Sequence, residues 1–248
     1  MDSPRAWLSC PLPQPAARLR LYCFPYAGGG ASVYRSWARG FSPAIEVCAV
    51  QPPGREQRLA EKPFTQFLPY VDAITAAIAP ALTLPYAFFG HSLGALAAFE
   101  CSRILRAMSV KPPVVLFVSG SRAPQVPFRD TRTHELSDEL FIEELRHLNG
   151  TPKEALEHPE LMALLLPLLR GDFSVYESYK YRPEPLLDIP IHAFGGTADA
   201  RVTQADLSAW REETTGRFSV RLFPGDHFFL HGAQNAITQA ISQELQGV

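Results

Sequence analysis

Apolar positions recur along this chain in two alternating patterns. Leu19-Arg20-Leu21-Tyr22-Cys23-Phe24 alternates and then turns wholly apolar, and Ile45–Val50, residues 86–89 and residues 114–118 are short apolar runs bounded by turn residues. Runs of this length and make-up predict buried strands. Between them, residues 67–79 set Phe67, Val71, Ile74 and Ile78 at helical spacing, and residues 32–39 read as a helix with Trp37 turned inward. Strands alternating with helices predict an α/β fold with a mostly parallel sheet.

The pattern breaks after residue 121. Ser137-Asp138-Glu139-Leu140 is a helix start with a capping serine and early acids, and Leu140, Phe141, Leu145 and Leu148 then share one face. Residues 154–170 are rich in leucine, with Leu156, Leu161, Leu164, Leu165, Leu168 and Leu169. These stretches predict a helical insertion at about residues 134–182. It serves either as plain core packing or as a mobile lid over an apolar acyl pocket. Strands resume at residues 191–195 and Phe218–Phe223, with helices expected at 203–214 and 235–245. Residues 1–17 are proline-rich and aperiodic, which predicts a loosely held arm.

Composition narrows the field. The 248 residues suit a single domain, 1–248, carrying that insertion; 46% hydrophobic and 19% charged residues are ordinary for a globular protein with a core. A net charge of −2 gives no general footprint for nucleic acid or an anionic membrane. No apolar run is long enough to span a bilayer, and no secretory leader is evident at the start. The four cysteines show no metal-ligand spacing, and Cys23 and Cys48 lie in apolar runs where free cysteine acts as a small hydrophobe. The expectation is a cytoplasmic monomer with no cofactor and no metal.

The chemistry centres on Gly90-His91-Ser92-Leu93-Gly94, which follows an apolar strand and precedes a run of helix formers. That is the layout of a nucleophile elbow, in which a tight turn lifts the serine Oγ clear of the sheet. A serine hydroxyl needs a base, usually histidine, held by an acid. Candidates follow in the order Ser92, Asp199, His227, the last two each in a loop after a strand. Among competing groups, Asp226 adjoins His227 and is poorly set to hold its ring, Asp206 falls in a predicted helix, and His91 lies inside the elbow. The oxyanion needs two N–H donors. Leu93, just after the nucleophile, supplies one, and Ala27, in the loop Pro25-Tyr26-Ala27-Gly28-Gly29-Gly30, supplies the other. That glycine loop lacks the spacing of a phosphate-binding motif, so nucleotide binding is disfavoured.

With these parts assembled, the chain resembles the type II thioesterases of polyketide and non-ribosomal peptide synthesis. The resemblance runs from about residue 21 to 230. It is carried by FPYAGGGASVYRSW (24–37), QPPGREQRLAE (51–61), GHSLGALAAFE (90–100), LNGTPKEAL (148–156), ELMALLLPLLRGDFSVYESYKY (160–181), IHAFGGTADARV (191–202) and FPGDHFFL (223–230). It implies an α/β-hydrolase core with a helical lid, and hydrolysis of acyl groups from the phosphopantetheine arm of acyl or peptidyl carrier proteins. The implied catalytic residues are again Ser92, Asp199 and His227, with Ala27 and Leu93 as oxyanion donors. Asn149 and Gly171 depart from the family pattern, at positions where glycine and alanine are expected.

Three functions compete: an editing thioesterase acting on carrier proteins, an esterase or lipase for small or lipid esters, and a non-catalytic carrier-binding protein. The triad itself does not separate the first two, because one acyl-enzyme chemistry cleaves both ester types. Its completeness argues against the third. With no net positive charge, attraction to an acidic carrier needs a local basic patch. Arg55 and Arg58, in the loop after the second strand, are the candidates for carrier or phosphopantetheine contact. The alternative is that they brace that loop through Glu56 or Glu61.

Overall fold

A computed structural model describes residues 4–129 and 132–247. Among the described residues, seven strands form one sheet in the order β1-β3-β2-β4-β5-β6-β7. They are β1 (Leu8–Ser9), β2 (Leu19–Phe24), β3 (Ile45–Val50), β4 (Tyr86–His91), β5 (Leu116–Ser119), β6 (Ile191–Gly196) and β7 (Phe218–Phe223). Strands β2 to β7 pair in parallel, and β1 joins the edge of β3 antiparallel, Leu8 opposite Val50. The helices are α1 (Pro4–Trp7), α2 (Phe67–Ile78), α3 (Leu93–Ala107), α4 (Asp138–Leu148), α5 (Lys153–Leu156), α6 (Pro159–Glu177), α7 (Gln204–Ser208), α8 (Phe229–Gly232) and α9 (Gln234–Leu245). The predicted helix over 32–39 is instead two single 3₁₀ turns, Ala31–Tyr34 and Trp37–Gly40. The one over 203–214 is α7 followed by a 3₁₀ turn.

The central strands β2 to β6 are largely apolar because both faces of the sheet are covered there, whereas the edge strand β7 alternates with exposed Ser219 and Arg221. Tyr22, Phe24, Phe88, Leu116 and Val118 pack on one side with Ile74, Phe99 and Trp210. Leu21, Cys23, Ala87, Phe89 and Phe117 pack on the other with Trp37, Ile237 and Ile241. Successive strand residues thus feed opposite cores, as the period of two requires.

Helices α4, α5 and α6 lie between β5 and β6 in sequence and hold a separate apolar cluster of Phe141, Leu145, Leu156, Met162 and Leu169. Ser137 caps α4 as its sequence predicts, accepting the N–H of Leu140. The chain reverses direction across the sheet between β2 and β4, which are neighbours although β3 intervenes in sequence. At such a switch point the loops leaving the carboxyl ends diverge and open a crevice.

The amino-terminal arm departs from expectation. Residues 1–3 of that reading lie outside the described residues, but the rest is tied down. The N–H of Gln51 donates to the carbonyl of Trp7 at 2.8 Å, and Trp7 is buried. Cys10 is bonded to Cys48, with their Cα atoms 4.4 Å apart. Cys48 is therefore not the free apolar filler that its strand context suggests; Cys23 and Cys101 are free and buried. The antiparallel pairing of β1 with β3 brings these cysteines together, a contact invisible to local spacing.

Candidate active site

Ser92 stands between β4 and α3 with φ 53° and ψ −118°, a conformation that side chains with a Cβ seldom adopt. The flanking glycines make it possible. A Cβ on Gly90 would meet the carbonyl oxygen of Gly94 at 2.0 Å, and one on Gly94 would meet that of Phe24 at 2.2 Å. The N–H of Ser92 donates to Ser119 on the neighbouring strand at 2.8 Å. Leu93 opens α3, so its N–H belongs to the first turn, where helix N–H groups have no partner within the helix.

The loops after β6 and β7 bring two more sequence-predicted residues together. His227 Nδ1 lies 2.8 Å from Asp199 Oδ2, and the Asp199 side chain is fully buried. Asp199 Oδ1 accepts the N–H groups of Arg201 and Val202 at 2.8 and 3.1 Å. Burial pushes this carboxyl upward, but the hydrogen bond and charge of His227 and the two backbone donors outweigh it, holding Asp199 below the usual carboxylate range. With Nδ1 bonded to the acid, Nε2 is the ring nitrogen left for chemistry. Asp226 is turned elsewhere: its oxygens accept from Asn149 Nδ2 at 2.9 Å and from the N–H of Phe228 at 2.8 Å. His91 is wholly buried under the site, bonded through Nδ1 to Ser119 Oγ at 2.9 Å, and burial together with nearby His227 keeps its proton affinity low.

Ser92, His227 and Ala27 line one cavity of about 60 Å3. A second cavity of about 260 Å3 lies between the glycine loop and the insertion, lined by Gly28, Leu145, Leu165, Leu168 and Leu169 among others. Tyr26, Ala27, Leu148, Phe173 and Phe228 border both. The arrangement offers a nucleophile, a base with its acid, and an apolar space beside them. Leu165 borders that space, whereas Leu164 is 56% exposed.

The two arginines are not where a carrier contact requires them. Arg55 is 6% exposed and Arg58 is 4% exposed. Arg55 forms a two-pronged pair with Asp172 of α6 at 2.7 and 2.8 Å. Arg58 donates to Glu61 through Nε at 2.7 Å and to the carbonyl of Gln51 at 3.1 Å, and its guanidinium lies over the Trp7 ring. Both brace the loop after β3 from inside: Arg58 does so through Glu61, the alternative the sequence offered, and Arg55 through Asp172, while neither buried guanidinium faces outward for the expected carrier contact. Asp172, which ties α6 to Arg55 and to the glycine loop, is the residue that the sequence reading missed. The available signal was an acid three and four positions after Leu169 and Leu168, on the apolar face of its helix.

Among the described residues, one trio with metal-ligand geometry is Cys10, Glu46 and Cys48. Its two sulfurs are joined, and Arg20 holds the Glu46 carboxylate at 2.6 Å. No helix among the described residues is long and apolar enough to cross a membrane.

A family model for the thioesterase domain matches residues 19–245. The gramicidin S biosynthesis protein GrsT of Aneurinibacillus migulanus is 49% identical over 231 residues, covering 93% of this chain and 90% of that protein. The solved type II thioesterase BorB of the borrelidin biosynthetic cluster superposes with a TM-score of 0.89 at 37% identity, over 99% of each chain. The RedJ thioesterase of the prodiginine pathway in Streptomyces coelicolor superposes with a TM-score of 0.87 at 41% identity, over 92% of this chain and 91% of that one. The chain therefore belongs to the thioesterase family, as a type II thioesterase with the α/β-hydrolase fold.

Proposed function

We propose that this thioesterase clears stalled or wrong acyl groups from the phosphopantetheine arms of carrier proteins in polyketide or non-ribosomal peptide synthesis. The observation that carries the reading is the buried Asp199–His227 pair at 2.8 Å beside a cavity shared with the strained Ser92. The names of the relatives support the setting, since GrsT serves gramicidin S biosynthesis and BorB the borrelidin cluster.

In this reading Ser92 Oγ attacks the thioester carbonyl while His227 Nε2 takes its proton. Asp199 holds the ring and stabilises the imidazolium. The carbonyl oxygen, now negative, is met by the N–H groups of Leu93 and Ala27. Collapse breaks the carbon–sulfur bond, and the imidazolium returns the proton to the departing pantetheine thiol. A water then repeats the sequence on the acyl-serine, releasing the carboxylic acid and restoring Ser92. The chain acts as a single thioesterase domain, with residues 134–182 as a lid over the acyl cavity. It works as a monomer in the cytoplasm.

Parallel turnover of an acyl-carrier protein, an acyl-coenzyme A and a nitrophenyl ester tests this reading. The highest kcat/KM is expected on the carrier substrate. Ser92→Ala should lower turnover on all three by about 10⁴- to 10⁶-fold and abolish fluorophosphonate labelling. Ser92→Ala activity within about tenfold of wild type would remove the nucleophile. Preference for the nitrophenyl ester would favour a general esterase.

A further inference from the structure

Asp172 follows the leucine run of α6, in the carboxyl-terminal half of that helix, yet it is 2% exposed. Its carboxylate is fully engaged. Oδ1 accepts from Arg55 Nη2 at 2.8 Å, and Oδ2 accepts from Arg55 Nη1 at 2.7 Å and from the N–H of Gly28 at 2.6 Å. Arg55 Nη1 also donates to the carbonyl of Gly29 at 3.0 Å, and its Nε to that of Pro53 at 3.1 Å. Three segments therefore meet at one ion pair: the insertion helix, the loop after β3 and the glycine loop after β2.

A buried ion pair is poor evidence for stability, because desolvation offsets the attraction. Another leucine on a helix already rich in them would fill this place as well. What the pair provides, and leucine does not, is directional hold on a backbone turn. The N–H of Gly29 donates to the carbonyl of Tyr26 at 2.9 Å, closing that turn. A trans peptide unit is a rigid plane whose C=O and N–H point opposite ways. Fixing the Tyr26 carbonyl toward Gly29 therefore turns the Ala27 N–H the other way. Asp172 holds the next plane by its N–H, and Arg55 holds the Gly29 carbonyl beyond. Ala27 itself lines the Ser92 cavity.

We propose that Asp172 and Arg55 are positioning residues that clamp the turn over residues 26–29, aiming the Ala27 N–H at the oxyanion, so that the oxyanion hole is complete only while α6 is seated. This rests on the proposed role of Ala27. It makes the insertion a participant in rate as well as in substrate fit.

The test uses the full chain. Arg55→Met/Asp172→Leu replaces both charges by apolar groups of similar size and leaves no lone buried charge. Thermal melting establishes that it folds. Its kcat on a nitrophenyl ester and on an acyl-carrier substrate should fall about 10²-fold, as when one oxyanion donor is lost, with KM within about threefold. A trifluoromethyl ketone, which forms a tetrahedral oxyanion on serine, should lose affinity by the same factor as kcat/KM. Asp172→Asn, whose amide oxygen still accepts the Gly28 N–H, should recover at least about tenfold of the loss. A folded double variant with kcat within about threefold of wild type would overturn the proposal. So would a rise in KM with kcat and ketone affinity unchanged, or an Asp172→Asn variant no better than the double. If Ser92→Ala is inactive and the double variant is normal, only this inference falls. If Ser92→Ala is active, the reading of the site itself falls.

Discussion

The loops at the carboxyl edge of the sheet and the helical insertion packed against them are held by different physics. At the edge, position comes from directional bonds: Asp199 accepts from His227, Arg201 and Val202, and Ser92 is anchored to Ser119. In the insertion most of the hold is apolar, through Phe141, Leu145, Leu156, Met162 and Leu169. It is joined to the edge by a few polar ties, Asn149 to Asp226, Arg201 to Glu144 and Asp172 to Arg55 and Gly28. Directional bonds fix where an atom points. Apolar burial fixes how much area is covered and leaves the direction free. In the proposed mechanism a reaction centre needs the first kind of hold, and a lid over an acyl cavity is served by the second.

That contrast is open to direct attack at the acid. Asp199→Asn removes the acceptor that sets the His227 tautomer, and turnover should fall about 10⁴-fold. Asp226→Asn touches only the tie to Asn149 and the Phe228 N–H, and should stay within about tenfold. The reverse ranking, read from steady-state rates of both variants, would move the acid to Asp226. In the insertion the effects should be smaller and show in selectivity. Leu165→Trp intrudes on the 260 Å3 cavity and should shift the ratio of short- to long-chain turnover about tenfold, roughly what two buried methylenes are worth. Leu164→Trp, on an exposed position, should leave the ratio unchanged. Equal responses from the two would mean that the insertion does not shape the acyl site.

The same contrast explains what was legible in the sequence. Strands β2 and β3 fall on the residues that the apolar runs mark, because burial on both faces leaves a continuous signature, and β7 falls on Phe218–Phe223 because an edge strand shows its alternation. The gathering of Ser92, Asp199 and His227 was readable because each sits in a loop after a strand, and parallel strands deliver those loops to one edge. Leu164 and Leu165 were not separable, since both fit a helical stripe and only the packed helix shows which one meets the cavity. For Arg55 and Arg58 the sequence leaves open a surface contact or a loop brace through Glu56 or Glu61, because charge usually stays in water yet acids lie close by. Arg58 takes the brace through Glu61, whereas Asp172 and the Trp7 ring under Arg58 were hidden because they lie far away in sequence. The Cys10–Cys48 link escaped for the same reason.

The backbone of Ser92 carries a further meaning. A residue with a Cβ at φ 53° and ψ −118° costs on the order of 1–3 kcal/mol, and the rest of the fold must hold it there. Glycine bears no such penalty, and its extra freedom in the unfolded chain cancels only part of the gain. Ser92→Gly should therefore unfold at higher temperature than wild type, by a margin of about 1 kcal/mol in a denaturant titration, while releasing no acyl product. The active chain would then be the less durable of the two. Selection for longevity alone would remove Ser92, and on the proposed mechanism only selection for turnover keeps a serine at this turn.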